Sequence, residues 1–195
     1  MQTKNKRDDV IQATLEIIAE NGFHNAPTSL IAERANVGMG TIYRYFKNKD
    51  ELIQTIYFER AKIAKEHALS DYDATRPHKE SYTKFCRHFF DYMINNPLDY
   101  NFFEQYRSSP YGLKEQLEIM FGFVHGEGAE QYPMLQLFKE GQELKVIKDM
   151  KLHLLVALTM SHIFTLARHQ VSGVHEIEDK EIDQFFSASW DSVRR

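Results

Sequence analysis

The sequence predicts an all-α protein, with a short N-terminal domain of three helices followed by a larger helical C-terminal domain. Three observations predict it. Apolar residues recur at three- and four-residue spacing along almost the whole chain, and alternating β-branched runs are scarce. Breakers cut that pattern into helix-sized lengths: Asn21-Gly22, Asn36-Val37-Gly38, Asn95-Asn96-Pro97, Ser108-Ser109-Pro110, Gly126-Glu127-Gly128 with Tyr132-Pro133, Gly141 and Ser172-Gly173. A chain of 195 residues that is 43% hydrophobic has ample material for a core.

The first helix is expected from about Lys6 to Asn21, with Val10, Ile11, Thr14, Leu15, Ile17 and Ile18 on its inward stripe. Gly22 suits the left-handed turn that stops it. A short second helix follows Pro27, where Thr28 or Ser29 can cap the first backbone amides, and Ile31, Ala32 and Ala35 form its apolar face. After the turn Asn36-Val37-Gly38 comes "MGTIYRYF". On a helical wheel Ile42 and Phe46 share one side, whereas Thr41, Arg44 and Tyr45 lie opposite and Tyr43 flanks them. Asn48 then caps a long fourth helix, about 49–68, with Glu51 as the reciprocal member of a capping box. The composition shifts near Asp71 to Pro77; we divide the chain into 1–50 and 51–195, the fourth helix connecting the two.

Further on, "MKLHLLVALTMSHIFTLARH" is apolar nearly all round, as in a helix buried on two sides, and "DKEIDQFFSASWDSV" carries Ile182, Phe185, Phe186 and Val193 on one stripe. This C-terminal pair is expected to pack against something beyond its own domain.

Two short helices joined by a tight turn, the second exposing polar and aromatic side chains, make a helix-turn-helix. Its chemistry suits double-stranded DNA. Gly40 lets backbone approach a base edge or phosphate, Thr41 can hydrogen-bond either, and Arg44 can reach guanine or phosphate. The Tyr43 and Tyr45 hydroxyls suit phosphate oxygens, and Lys47 and Lys49 flank a helix N-terminus that itself attracts anions. Lys4, Lys6 and Arg7 form a second basic cluster, placed for adjacent backbone or minor groove. The formal net charge is −4, but the first 50 residues carry +1 and the remainder −5, so the acidic balance lies outside this region. Each residue also has a plainer use: Gly38 and Gly40 permit a turn, Tyr43 packs, Lys47 and Lys49 meet solvent. Jointly, the plain reading must explain every exposed group on one short helix.

The stretch "PTSLIAERANVGMGTIYRYFKNKDELI" resembles the N-terminal signature of the TetR (tetracycline-repressor) family of transcriptional regulators, densely from Gly22 to Leu52 and weakly beyond. Thr28, Ile31-Ala32, Val37, Gly40-Thr41-Ile42-Tyr43, Tyr45-Phe46 and Asn48-Lys49 stand where that family has such residues. Two positions depart. Asn36 replaces the usual turn glycine, but asparagine tolerates a left-handed conformation. Gly38 replaces the usual serine and removes a hydroxyl that could cap the helix or meet phosphate.

The resemblance implies phosphate contacts at Thr28, Tyr43 and Lys49 and base reading around Met39, Gly40, Thr41 and Arg44; Ser29 belongs to the same surface. It further implies a homodimer joined through the last two long helices, with Leu155, Ile163, Phe185, Phe186 and Trp190 at the interface, and hence a palindromic operator. A small-molecule effector would sit among the middle helices, where Phe89, Met93, Phe103, Tyr106 and Met120 are candidates together with Phe123, His125, Met160 and Phe164. Such a pocket favours an apolar or aromatic effector, and methionines make it permissive.

Enzyme chemistry finds little footing. "GMGTIY" has two glycines of a dinucleotide fingerprint but no third and no preceding strand, and no Gly-x-Ser-x-Gly, His-Glu-x-x-His or phosphate-loop motif occurs. The single cysteine, Cys86, reads as inert packing, and the scattered histidines give no metal spacing; no cofactor is expected. The charged N-terminus and the shortness of the longest apolar streak, Leu154 to Met160, point to a cytoplasmic chain without a membrane helix. A helical interaction module without DNA binding is the remaining alternative, hinted at by Asn36, Gly38 and Met39.

Overall fold

A computed structural model describes residues 5–73, 75–109, 133–173 and 176–195. Among these residues there are nine α-helices and no strand, only one antiparallel bridge between Ile147 and Arg194. The helices divide into two compact units. The first takes α1 (Lys6–Asn21), α2 (Thr28–Arg34), α3 (Met39–Tyr45), α4 (Lys49–Ala68) as far as Ile63, and α6 (Pro97–Arg107). The second takes α4 from Ala64, α5 (His78–Asn95), α7 (Pro133–Glu143), α8 (Leu152–Val171) and α9 (Asp179–Val193).

This division differs from the boundary expected after residue 50. The first three helices do not close a core alone: α1 packs along α6, where Phe23 meets Phe102 edge-on at 5.5 Å and Gln105 Nε2 donates to the Ile18 carbonyl at 2.7 Å. Tyr57 of α4 stacks on Tyr106 with ring centroids 4.3 Å apart.

Local chemistry sets the helix ends. The Asn5 side chain accepts from the Arg7 amide, Asp8 and Asp9 favour the positive end of the α1 dipole, and Gly22 stops the helix at φ 78. The cap expected at Thr28 or Ser29 is not made: Pro27 is the N-cap residue of α2, without a side-chain hydrogen bond, and Thr28 is already helical. Proline fixes the entry dihedral, which substitutes for a cap in setting the start. Asn36 adopts φ 52, the left-handed conformation anticipated for it. At α4 the Asn48 side chain accepts from the Glu51 amide at 2.8 Å, while the Glu51 carboxylate reaches back to the amide of Lys47, one residue before the cap. Pro97 opens α6, and Glu178 with Glu181 forms a full capping box on α9.

The second unit buries Tyr82, Phe90, Phe138, Phe186 and Trp190 between α5, α7, α8 and α9. Inside it the Tyr82 hydroxyl and His162 Nδ1 each lie 2.7 Å from the Ser189 hydroxyl, joining α5, α8 and α9. Arg87 binds Asp91 on its own helix and reaches Asp179 at 2.6 Å and Asp183 at 3.4 Å on α9.

Candidate nucleic-acid interface

Helix α3 is seven residues long and is held by two side chains, Ile42 and Phe46, each 2% exposed, as the helical wheel predicts. Everything else of size points outward. Tyr43 is 51% exposed, Met39 39% and Tyr45 36%, so three of the nine exposed large apolar side chains among the described residues stand on this one short helix. Arg44, Gly38 and Gly40 are exposed as well, and Thr41 is half-buried.

The glycines are informative because nothing in the fold demands them. A Cβ built on Gly38 or Gly40 would meet no atom within 4 Å, and neither residue has a positive φ. With Gly38 as the N-cap residue, α3 has no side-chain cap, which matches the missing serine hydroxyl. At this end the Thr41 amide donates to the Gly38 carbonyl at 2.8 Å, and no side-chain oxygen caps the helix.

The flanking groups fall into two kinds. Lys47, Lys6 and Ser29 are exposed, and Thr28 is half-buried at the start of α2. Lys49 instead folds back: its ammonium donates to the Phe23 carbonyl at 2.8 Å, tying α4 to the α1–α2 turn. Partial burial lowers its affinity for a proton, with nearby Asp50 opposing the shift. Arg7, grouped from sequence with Lys4 and Lys6, is taken up by Glu59 and stands over the Phe46 ring at 5.5 Å, so it is a packing group and not an open cation. Lys4 lies outside the described residues.

The long-range partners of Arg7, Lys49 and Arg34 were not visible in the sequence. Arg34 grips Glu20 with bonds of 2.9 and 2.8 Å, fastening α2 to α1. Residues so far apart carry no periodic signal.

The described residues expected around an effector fall in both units. Phe103, 5% exposed, and Tyr106, fully buried, belong to the first unit, in the aromatic packing around Phe23, Tyr57 and Phe102. Phe89, Met93, Met160 and Phe164 belong to the second. Met120, Phe123 and His125 lie outside the described residues.

The residues expected at a dimer interface differ in exposure. Leu155 and Ile163 are 0% exposed, Phe186 1% and Trp190 6%, all covered by the chain's own helices. Periodicity identifies an apolar stripe but not what covers it, and here α5 does: Phe90 meets Phe186, and Tyr82 meets Trp190. Phe185 is half-exposed beside His162, and Leu154, one position from the expected Leu155, is 44% exposed.

Among the described residues no group of three or more His, Cys, Asp or Glu side chains could hold a metal ion, and no helix is long and apolar enough to cross a membrane. Burial raises the Cys86 thiol well above its ordinary value, as expected for an inert core residue.

Two family profiles match this chain, one towards each end. Residues 77–194 match the profile described as "Tetracyclin repressor-like, C-terminal domain", and residues 10–56 match "Bacterial regulatory proteins, tetR family". A helix-turn-helix transcriptional regulator of Haemophilus influenzae is 31% identical over 103 residues, 53% of this chain and 55% of that protein. A fatty acid metabolism regulator protein of Bacillus subtilis is 44% identical over 59 residues, 30% of each chain. The chain thus spans about half the length of the first relative and about a third of the second. In fold, a TetR-family transcription regulator from Shewanella sp. PV-4 superposes with a TM-score of 0.85 at 19% identity, covering 98% of this chain and 100% of that one.

Proposed function

Because the chain belongs to the TetR family of bacterial regulatory proteins, we propose that it is a homodimeric transcription regulator that binds a palindromic operator and leaves it when a small molecule binds the C-terminal domain. The observation that carries the DNA reading is the outward face of α3. Tyr43, Arg44 and Tyr45 project from a helix anchored by only two buried side chains, beside two glycines that the fold itself does not require.

In this reading α3 lies in the major groove. Gly40 lets the backbone approach the base edges, and Thr41 and Arg44 read them. Met39 offers an apolar contact to a thymine methyl and no hydrogen bond from its side chain. Tyr43, Lys47, Lys49 and the start of α2 at Thr28 and Ser29 hold phosphates, with Lys6 reaching adjacent backbone. Two copies would place two such helices about 10 bp, or a multiple of it, apart on one DNA face. For the interface we propose the outward face of α8 and α9, at Leu154 and Phe185. The effector is proposed to be apolar or aromatic, on the strength of the phenylalanine and methionine content of the second unit. The Bacillus relative's name concerns fatty acid metabolism, but its match is too short to carry an effector across. Blocking a promoter is the simplest mode, which makes the protein a repressor of cytoplasmic DNA.

DNA affinity measured across a salt series tests this reading. Neutralised phosphates release counterions, so the logarithm of the affinity should fall linearly with that of salt concentration. Binding that is insensitive to salt, or absent from protein shown to be folded, would contradict it.

A further inference from the structure

Five side chains of the first unit form a continuous column. The Arg44 guanidinium carbon lies 5.2 Å from the centroid of the Tyr45 ring, and Arg44 Nη2 donates to the Tyr45 hydroxyl at 3.4 Å. The Tyr45 ring meets that of Phe46 at 6.4 Å, inclined by 54°. Arg7 stands over Phe46 in turn, and both of its terminal nitrogens bond to the carboxylate of Glu59 on α4.

Neighbours in a helix normally point apart. Here Tyr45 is the last helical residue, and Phe46 leaves with φ −135 and ψ 123, so the ring can turn beneath the Arg44 side chain. The foot of the column is rigid, Phe46 being 2% exposed, while its head projects from the reading face.

We infer that Tyr45 is a positioning residue that aims Arg44 at a base edge, and not itself a phosphate contact; the inference rests on the DNA-reading role proposed for α3. A guanidinium carries five N–H donors, and one spent on Tyr45 leaves an edge able to meet the O6 and N7 of a guanine. A long arginine side chain gives up its rotational freedom when it binds. One already stacked on an aromatic face has given it up on folding, so the correct base gains more and the wrong base is rejected more sharply.

The test compares base preference at every operator position for the full-length wild type, Arg44→Ala, Tyr45→Leu, Tyr45→Phe and the double variant Arg44→Ala/Tyr45→Leu, each with its thermal midpoint as a folding control. Arg44→Ala should lower the preference at one base pair of each half-site about tenfold. Tyr45→Leu should relax that same base pair severalfold and no other. Tyr45→Phe, which keeps the ring, should retain most of the preference, and the double variant should be no worse than Arg44→Ala. If Tyr45→Leu instead weakens all sequences equally and its loss multiplies with that of Arg44→Ala, Tyr45 is a phosphate contact and the inference is overturned. If Arg44→Ala changes no base preference, Arg44 has nothing to be aimed at and the inference falls while DNA binding stands. A wild type that selects no site would reject the proposed function first.

Discussion

Asn36, Gly40 and Lys49 show how single residues divide between fold and function. Asn36 holds φ 52, where a Cβ is strained but a short amide side chain is tolerated. Asn36→Ala should therefore destabilise the protein by about 1 kcal/mol, and Asn36→Gly should leave stability nearly unchanged; urea denaturation of both variants checks this. Gly40 is the converse case. A methyl there meets nothing in the fold, so Gly40→Ala should keep or raise the thermal midpoint, alanine being favoured in helices by up to ~1 kcal/mol, yet weaken DNA binding by crowding the base edges. Equal DNA affinity would mean that no partner approaches Gly40. Lys49 serves both sides. Lys49→Met should cost about 1–2 kcal/mol of stability by removing the bond to the Phe23 carbonyl, and should also lower the salt slope of DNA binding by about 1. A stability loss with an unchanged slope would make Lys49 purely structural.

Single elements were legible in the sequence where their own pattern decides them. The bounds of α1, the anchors Ile42 and Phe46, and the cap at Asn48 all come from local periodicity and capping chemistry. The start of α2 after Pro27 was legible but its cap was not, because proline itself takes the N-cap position and no hydroxyl caps the helix. For α8 and α9 the apolar stripes were visible, but their partner was not: a stripe looks the same whether a neighbouring helix or a second chain covers it. The polar join between these helices was also hidden. Burial lowers the proton affinity of His162, whose Nδ1 meets Ser189. A depressed folded-state pKa adds stability that is fully present above the unfolded value, near 6.5, and is lost as pH falls through the folded one. Stability should therefore drop below about pH 6.5, and His162→Gln should remove that part of the drop; the same pH profile in wild type and variant would exclude this histidine as its source.

For the whole molecule, the all-α class was legible from the three- and four-residue apolar spacing, and the family from the residues concentrated between Gly22 and Leu52. The division into units was not, because the return of α6 to the first unit depends on contacts distant in sequence. The buried state of Phe186 changes what its substitution tests. Phe186→Asp should unfold the second unit by burying an unpaired charge, whereas Leu154→Asp and Phe185→Asp should leave the fold intact and shift sedimentation towards monomers. An intact dimer in both of the latter variants would place the interface elsewhere. Selection of binding sites from random duplex DNA by the purified, ligand-free chain measures sequence-specific reading by a two-fold symmetric protein most directly. A dimeric operator-binding protein should enrich a palindrome with two equivalent half-sites about one helical turn or a multiple apart. Folded protein that has been unfolded, stripped of ligand and refolded, and that still enriches no sequence, would contradict it.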